Sequence, residues 1–224
     1  METLESEPDQ PATASVIWMH GLGADAKDFY GVPVELGLPP DLHVRYVFPN
    51  APQIPVTINR GMVMRAWYDI DDMGSRGQDE KGIRRSAVQI DELVQRENER
   101  GIPTNRIVLA GFSQGGALAL FAGVRTPQPL AGIMCLSGYM LLEDTLSAEA
   151  NRDGRGVPIF QAHGTDDPVV PHLLGRGSRD LLTESGYTVE WHDYPMGHSV
   201  CIEEVRDIGA WLTRALAHSV DEMT

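Results

Sequence analysis

A chain of 224 residues, 42% of them hydrophobic, is long enough to bury one substantial core, and its composition is neither disordered nor fibrous. With 32 Asp and Glu against 18 Lys and Arg, a formal net charge of -14, it lacks the clustered bases that track phosphates. Nucleic acid is not an expected partner, and standing attraction to anionic lipid headgroups is disfavoured.

The chain opens on METLESEPDQPATAS, which is acidic, rich in Pro and polar residues, and without the positive and apolar regions of a secretory signal. Residues 1–13 are expected as a loose arm, and the protein as cytoplasmic. From residue 14 onward short apolar runs recur: SVIWM (15–19), HVRYVF (43–48), a weaker MVMRAWYDI (62–70), RIVLAG (106–111), LAGIMCLS (130–137), VPIFQAHG (157–164) and YTVEWHDYP (187–195). Most are rich in β-branched or aromatic residues and stop at Gly, Pro, Asn or Asp, which predicts strands. Between 80 and 99, Ile83, Ala87, Ile90 and Val94 form one helical stripe, and Val205, Ile208, Trp211 and Leu212 form another from Glu203 to Ala217. Alternating strand and helix predicts one α/β domain over residues 14–224, a mostly parallel, doubly wound sheet flanked by helices. Ligand sites in such sheets lie at the carboxyl ends of the strands. PNAPQIPVTINRGM (49–62) reads as a long loop of the kind that often carries function. No apolar run is long enough for a membrane span. Cys135 and Cys201 have no paired or metal-like spacing, and Cys135 is expected as a buried thiol.

The chemistry concentrates in IVLAGFSQGGALALFAG (107–123), where a strand runs into Gly111-Phe112-Ser113-Gln114-Gly115 and restarts at once as a helix. That strand-turn-helix setting predicts a nucleophile elbow: the serine is held in a strained conformation at a helix N-terminus, where free N–H groups meet a developing oxyanion. An ordinary helix N-cap would account for Ser113 but not for the flanking glycines. A serine nucleophile needs a base, and the base an acid, in the order Ser, Asp/Glu, His. His198, in PMGHSV between the last strand and the last helix, is the expected base. Asp166 and Asp167 both follow the strand at 157–162, and the residues alone leave the acid open between them. Of the other histidines, His20 and His163 begin His-Gly turns and are expected to fasten loops. His43, His172, His192 and His218 read as structural or solvated. No helical histidine pair suggests a metal, and neither metal nor organic cofactor is expected.

HGLGA (20–24), FPNAPQIPVTINRGMVMRAWYDI (48–70), GFSQGG (111–116), HGTDDPVVP (163–171) and YPMGHS (194–199) together resemble the acyl-protein thioesterase and lysophospholipase-like carboxylesterases, closest to their bacterial carboxylesterase branch. The resemblance spans nearly the whole chain from about residue 14 and implies an α/β-hydrolase fold. It places the acid at Asp167, the fifth residue of the His-Gly-x-x-Asp motif. It assigns the oxyanion-hole N–H groups to Leu22 and Gln114, and sets Trp67 against the acyl site. One departure is Ala24 followed by Asp25, where some relatives carry Asp directly after the HGLG run. Fewer than twenty residues separate Ser137 from Val157, too few for a helical lid domain, so the site is expected to be open.

The expected function is hydrolysis of carboxylic esters, with acyl thioesters included, through an acyl-enzyme on Ser113, His198 and Asp167. The expected partner is a small acyl ester or thioester, with no stable membrane insertion; a homodimer is left open. The alternatives are a peptidase, lysophospholipase or acyl-protein thioesterase on the same triad, or a non-catalytic binding protein on a hydrolase fold. The last is disfavoured because no triad member is missing.

Overall fold

The computed structural model describes residues 1–71, 78–151 and 153–217. Its strands, in chain order, are β1 (Thr3–Ser6), β2 (Ala14–Met19), β3 (Val44–Pro49), β4 (Gln53–Val56), β5 (Met62–Arg65), β6 (Ile107–Phe112), β7 (Gly132–Leu136), β8 (Ile159–Gly164) and β9 (Val189–Tyr194). Seven form one sheet in the order β1-β3-β2-β6-β7-β8-β9, with β1 antiparallel to β3 and every other neighbour parallel. The helices are α1 (Glu80–Glu99), α2 (Gln114–Gly123), α3 (Leu146–Glu149), α4 (His172–Glu184) and α5 (Ile202–Ala217). This is the core architecture of an α/β-hydrolase.

Parallel strands buried on both faces need apolar residues at every position, and side-chain alternation then feeds two cores. Ile17, Met19, Ile107 and Leu109 join α1 and α2 on one face, while Val16, Trp18, Val108 and Ala110 join α5 on the other. Helix α1 starts where Asp79 accepts a bond from Gly82 N (2.9 Å) and ends before Gly101, whose φ of +92° a side chain resists. Helix α2 is buried along its whole length, which is why it is apolar on every side. Among the described residues no helix is long and apolar enough to cross a membrane.

Two local readings change. The expected loose arm carries β1, because its acidic side chains meet distant arginines. Glu5 pairs with Arg96 and Arg100 (both 2.8 Å), and Glu7 with Arg45 (2.8 Å) and Arg100 (2.6 Å). Arg45 and Arg100 also hold the fully buried Glu97, each at 2.9 Å, so the edge strand is stitched to α1 through one charge network. The second change concerns 49–70. Only Met62–Arg65 of MVMRAWYDI is strand, and it pairs with Gln53–Val56 in a separate hairpin instead of joining the main sheet. The long loop is thus partly folded. Among the described residues between β7 and β8 the chain carries α3 and short 3-10 turns. Cys135 and Cys201 are free thiols. His218 lies outside the described residues.

Candidate active site

Ser113 sits between β6 and α2 with φ 54° and ψ -119°, a conformation rare for any residue with a side chain. The flanking glycines make it affordable. A Cβ on Gly111 would meet the carbonyl carbon of Gly115 at 2.3 Å, and one on Gly115 would meet Met19 O at 2.4 Å and His20 O at 2.6 Å. The turn therefore closes only where both side chains are absent, and the start of α2 lies directly against the end of β2. Although Ser113 occupies the N-cap position, its side chain makes no capping bond. Its Oγ lies instead 2.9 Å from His198 Nε2.

His198 lies in the loop between β9 and α5 and packs against Phe112, with ring centroids 4.8 Å apart. Its Nδ1 lies 2.7 Å from Asp167 Oδ2. The other carboxylate oxygen, Oδ1, accepts from Val169 N (2.8 Å) and Val170 N (2.9 Å), and the Asp167 side chain is wholly buried. Asp166 is exposed, and its Oδ2 accepts from its neighbour Thr165. The structure thus separates two carboxylates that the residues alone left equivalent. A carboxylate on Nδ1 keeps the imidazole proton on that nitrogen, which leaves Nε2 free to accept a proton from the serine.

Ser113, His198, Leu22 and Gln114 line one cleft of about 250 Å³. Gln114 is the first residue of α2, where backbone N–H groups have no intrahelical acceptor, and Leu22 lies in the loop after β2. That loop is held firmly. His20 Nε2 accepts from Ala51 N (3.1 Å), its Nδ1 lies 2.7 Å from Gly21 O, and burial keeps the ring's pKa below its ordinary value. His20 therefore fastens the loop as a neutral ring.

Trp67 does not line the cleft. It is fully buried beneath it, donating from Nε1 to His20 O (2.9 Å), so it braces the Leu22 loop from the core. Its neighbours Tyr68 and Ile70 line the cleft in its place, with Phe112, Tyr139, Val169 and Val170 completing apolar walls and Asp28 as the acidic group. Sequence reasoning also missed a second task for Gln114. Its side chain accepts from Trp67 N (2.9 Å) and donates to Tyr68 O (2.8 Å), tying the segment after β5 to the elbow. The sequence shows only an amide directly after the serine, which local periodicity does not interpret.

His163, next to the last residue of β8, is buried with Nε2 2.9 Å from Val170 O, and so fastens the loop that carries Asp167. His172 and His192 bond to surface carboxylates, Asp193 (2.5 Å) and Glu190 (3.0 Å), away from the cleft. His43 directly precedes β3, and its carbonyl accepts from Thr13 N (2.8 Å).

Comparison with known proteins agrees with this geometry. The phospholipase/carboxylesterase family profile matches residues 4–216. Acyl-protein thioesterase 1 of Neurospora crassa is 44% identical over 223 residues, covering 94% of this chain and 90% of its own. Among solved structures, Arabidopsis thaliana SOBER1 superposes with a TM-score of 0.84 at 30% identity, covering 91% of this chain and 99% of that one. Zea mays acyl-protein thioesterase 2 has the same TM-score, 0.84, at 27% identity, over 96% of this chain and 99% of that one. These relatives are fungal and plant proteins, so they show the wider family and not the bacterial branch to which the motifs pointed.

Proposed function

Since the chain belongs to the phospholipase/carboxylesterase family and is a carboxylic ester hydrolase, we propose that Ser113, His198 and Asp167 form its catalytic triad. His198 Nε2 takes the hydroxyl proton as Ser113 Oγ attacks the carbonyl carbon of an ester or thioester. The oxyanion so formed is held by the N–H groups of Leu22 and Gln114. As the tetrahedral intermediate collapses, the imidazolium returns its proton to the departing alcohol or thiol, leaving the acyl group on Ser113. Water then repeats the sequence and releases the acid. Asp167 keeps the imidazole in the working tautomer and stabilises its cationic form.

One observation carries this reading: His198 bridges Ser113 Oγ at 2.9 Å and Asp167 Oδ2 at 2.7 Å in a single ring orientation. The substrate follows from the walls. An apolar cleft of about 250 Å³, with no lid domain among the described residues, suits single acyl chains, including the acylated end of a larger molecule, better than bulk lipid. The thioester form of the reading is favoured by the Neurospora relative's name.

A fluorophosphonate probe should label the wild-type protein at Ser113, and Ser113→Ala should lower ester turnover by a factor on the order of a million without unfolding the chain. Full activity in strong chelator is expected alongside. A folded Ser113→Ala variant keeping a tenth of wild-type activity would refute the assignment. Acyl esters and thioesters of graded length, compared with lysolipids and peptides, then rank the substrates.

A further inference from the structure

The loop Thr165–Pro171, which presents Asp167, is anchored at its two ends by different means. Its first half is tied to the end of β9 through Thr165 N to Tyr194 O (2.8 Å) and to the loop after it through Asp166 N to Met196 O (3.1 Å). Its second half contains Val169 and Val170, whose N–H groups hold Asp167 Oδ1. That half is held by His163. The ring Nε2 lies 2.9 Å from Val170 O and 3.4 Å from Asp167 Oδ2. A carbonyl can only accept, so Nε2 carries the proton and donates. A continuous relay results: His163 holds the Val170 carbonyl, the Val170 amide holds Asp167, and Asp167 holds His198.

The ring is buried and packed on several sides. A Cβ on Gly175 of α4 would come within 2.4 Å of His163 Nδ1, so this glycine lets the helix pack against the imidazole. Trp191 stacks over it at 6.3 Å between ring centroids, and His172 meets it edge-on at 5.7 Å. Nδ1 has no hydrogen-bond partner among the described residues, which suits the unprotonated nitrogen of a neutral ring. Burial also holds this imidazole's pKa below its ordinary value.

Resting on the triad reading above, we infer that His163 is a positioning residue for catalysis: its Nε2–H holds the Val170 carbonyl, and so the Val170 backbone whose N–H steadies the carboxylate that orients His198. It touches no reacting atom. Its loss lets the acid drift while the serine and the oxyanion donors stay in place, and a displacement of about 1 Å in such a site costs on the order of a hundredfold in rate.

His163→Gln and His163→Phe separate positioning from packing. Glutamine keeps an N–H donor of similar reach, while phenylalanine keeps the ring's bulk and has none. With acetyl aryl esters, whose short acyl group does not depend on the valine walls, His163→Gln is expected to keep kcat within roughly threefold of wild type. His163→Phe is expected to lose roughly 10- to 100-fold in kcat, with KM within about twofold. Folding is checked by thermal denaturation, and active enzyme is counted with the fluorophosphonate. A packing role predicts the reverse ranking, with Phe tolerated and Gln costly. That ranking, or equal losses in both, overturns the inference. If His163→Phe does not fold, Gly175→Ala reads the same contact from α4: lowered kcat at unchanged KM supports the inference, and an unchanged kcat overturns it. Failure of the wild-type protein to label or to hydrolyse any ester would instead sink the triad reading, so the two failures are distinguishable.

Discussion

Asp167→Asn is the substitution whose outcome the structure specifies most closely. The new amide has two orientations. If its oxygen stays toward Val169 N and Val170 N, the amide nitrogen faces His198 Nδ1, where Asp167 Oδ2 stood at 2.7 Å. Two donors then oppose each other, so the imidazole proton moves to Nε2, the nitrogen 2.9 Å from Ser113 Oγ, which can no longer accept the serine's proton. If the amide turns over, two buried N–H groups lose their acceptor at about 1–3 kcal/mol each, and the loop loosens. The first orientation prevails, and the expected loss in kcat is roughly ten-thousand-fold, about 5.5 kcal/mol of transition-state stabilisation. KM should hardly move, because the cleft walls are untouched. Asp166→Asn alters an exposed group and should stay within about twofold. Steady-state kinetics on a soluble aryl ester, with folding verified by circular dichroism, compares the two. An Asp167→Asn enzyme retaining a tenth of wild-type kcat, or equal losses in both variants, would refute the reasoning.

Gly115→Ala should drive its methyl group into the Met19 and His20 carbonyls, which are backbone and cannot rotate away. A destabilisation of about 1–3 kcal/mol is expected, visible as a Tm lowered by about 2–12 °C, with activity falling further because the Leu22 loop is pushed from the elbow. An unchanged Tm would show that the elbow is not close-packed. Glu204, in the first turn of α5, is fully buried, and neither carboxylate oxygen has a hydrogen-bond partner among the described residues. Burial, with the like charge of Asp207, pushes it from 4.5 up to about 8. The folded state therefore binds a proton that the unfolded chain releases. Stability should fall as pH rises between about 4.5 and about 8, by up to about 1.4 kcal/mol per pH unit. Glu204→Gln should flatten the pH dependence of Tm over that window, and parallel wild-type and variant curves would contradict it.

Strands, helices and the elbow were legible in the sequence because each is encoded by neighbours in the chain. The stripe of Ile83, Ala87, Ile90 and Val94 predicted the bounds of α1, and the glycines around Ser113 predicted a turn that the serine's positive φ then displayed. Chain order and strand ends were enough to name His198. The choice between Asp166 and Asp167 was open in the residues and answered only through family likeness, since the two are chemically identical until the N–H groups of Val169 and Val170 bind one of them. Long-range pairing decided the rest. An acidic N-terminal run became β1 because arginines about 40 to 95 residues away neutralise it, and Trp67 went to the core because its indole found the His20 carbonyl. The roles of Gln114 and His163 likewise depend on partners that approach only after the sheet has formed. Propensity and periodicity describe a residue's own segment, whereas hydrogen bonds and ion pairs between segments depend on which strands become neighbours, and that is settled by burying both faces of one sheet at once.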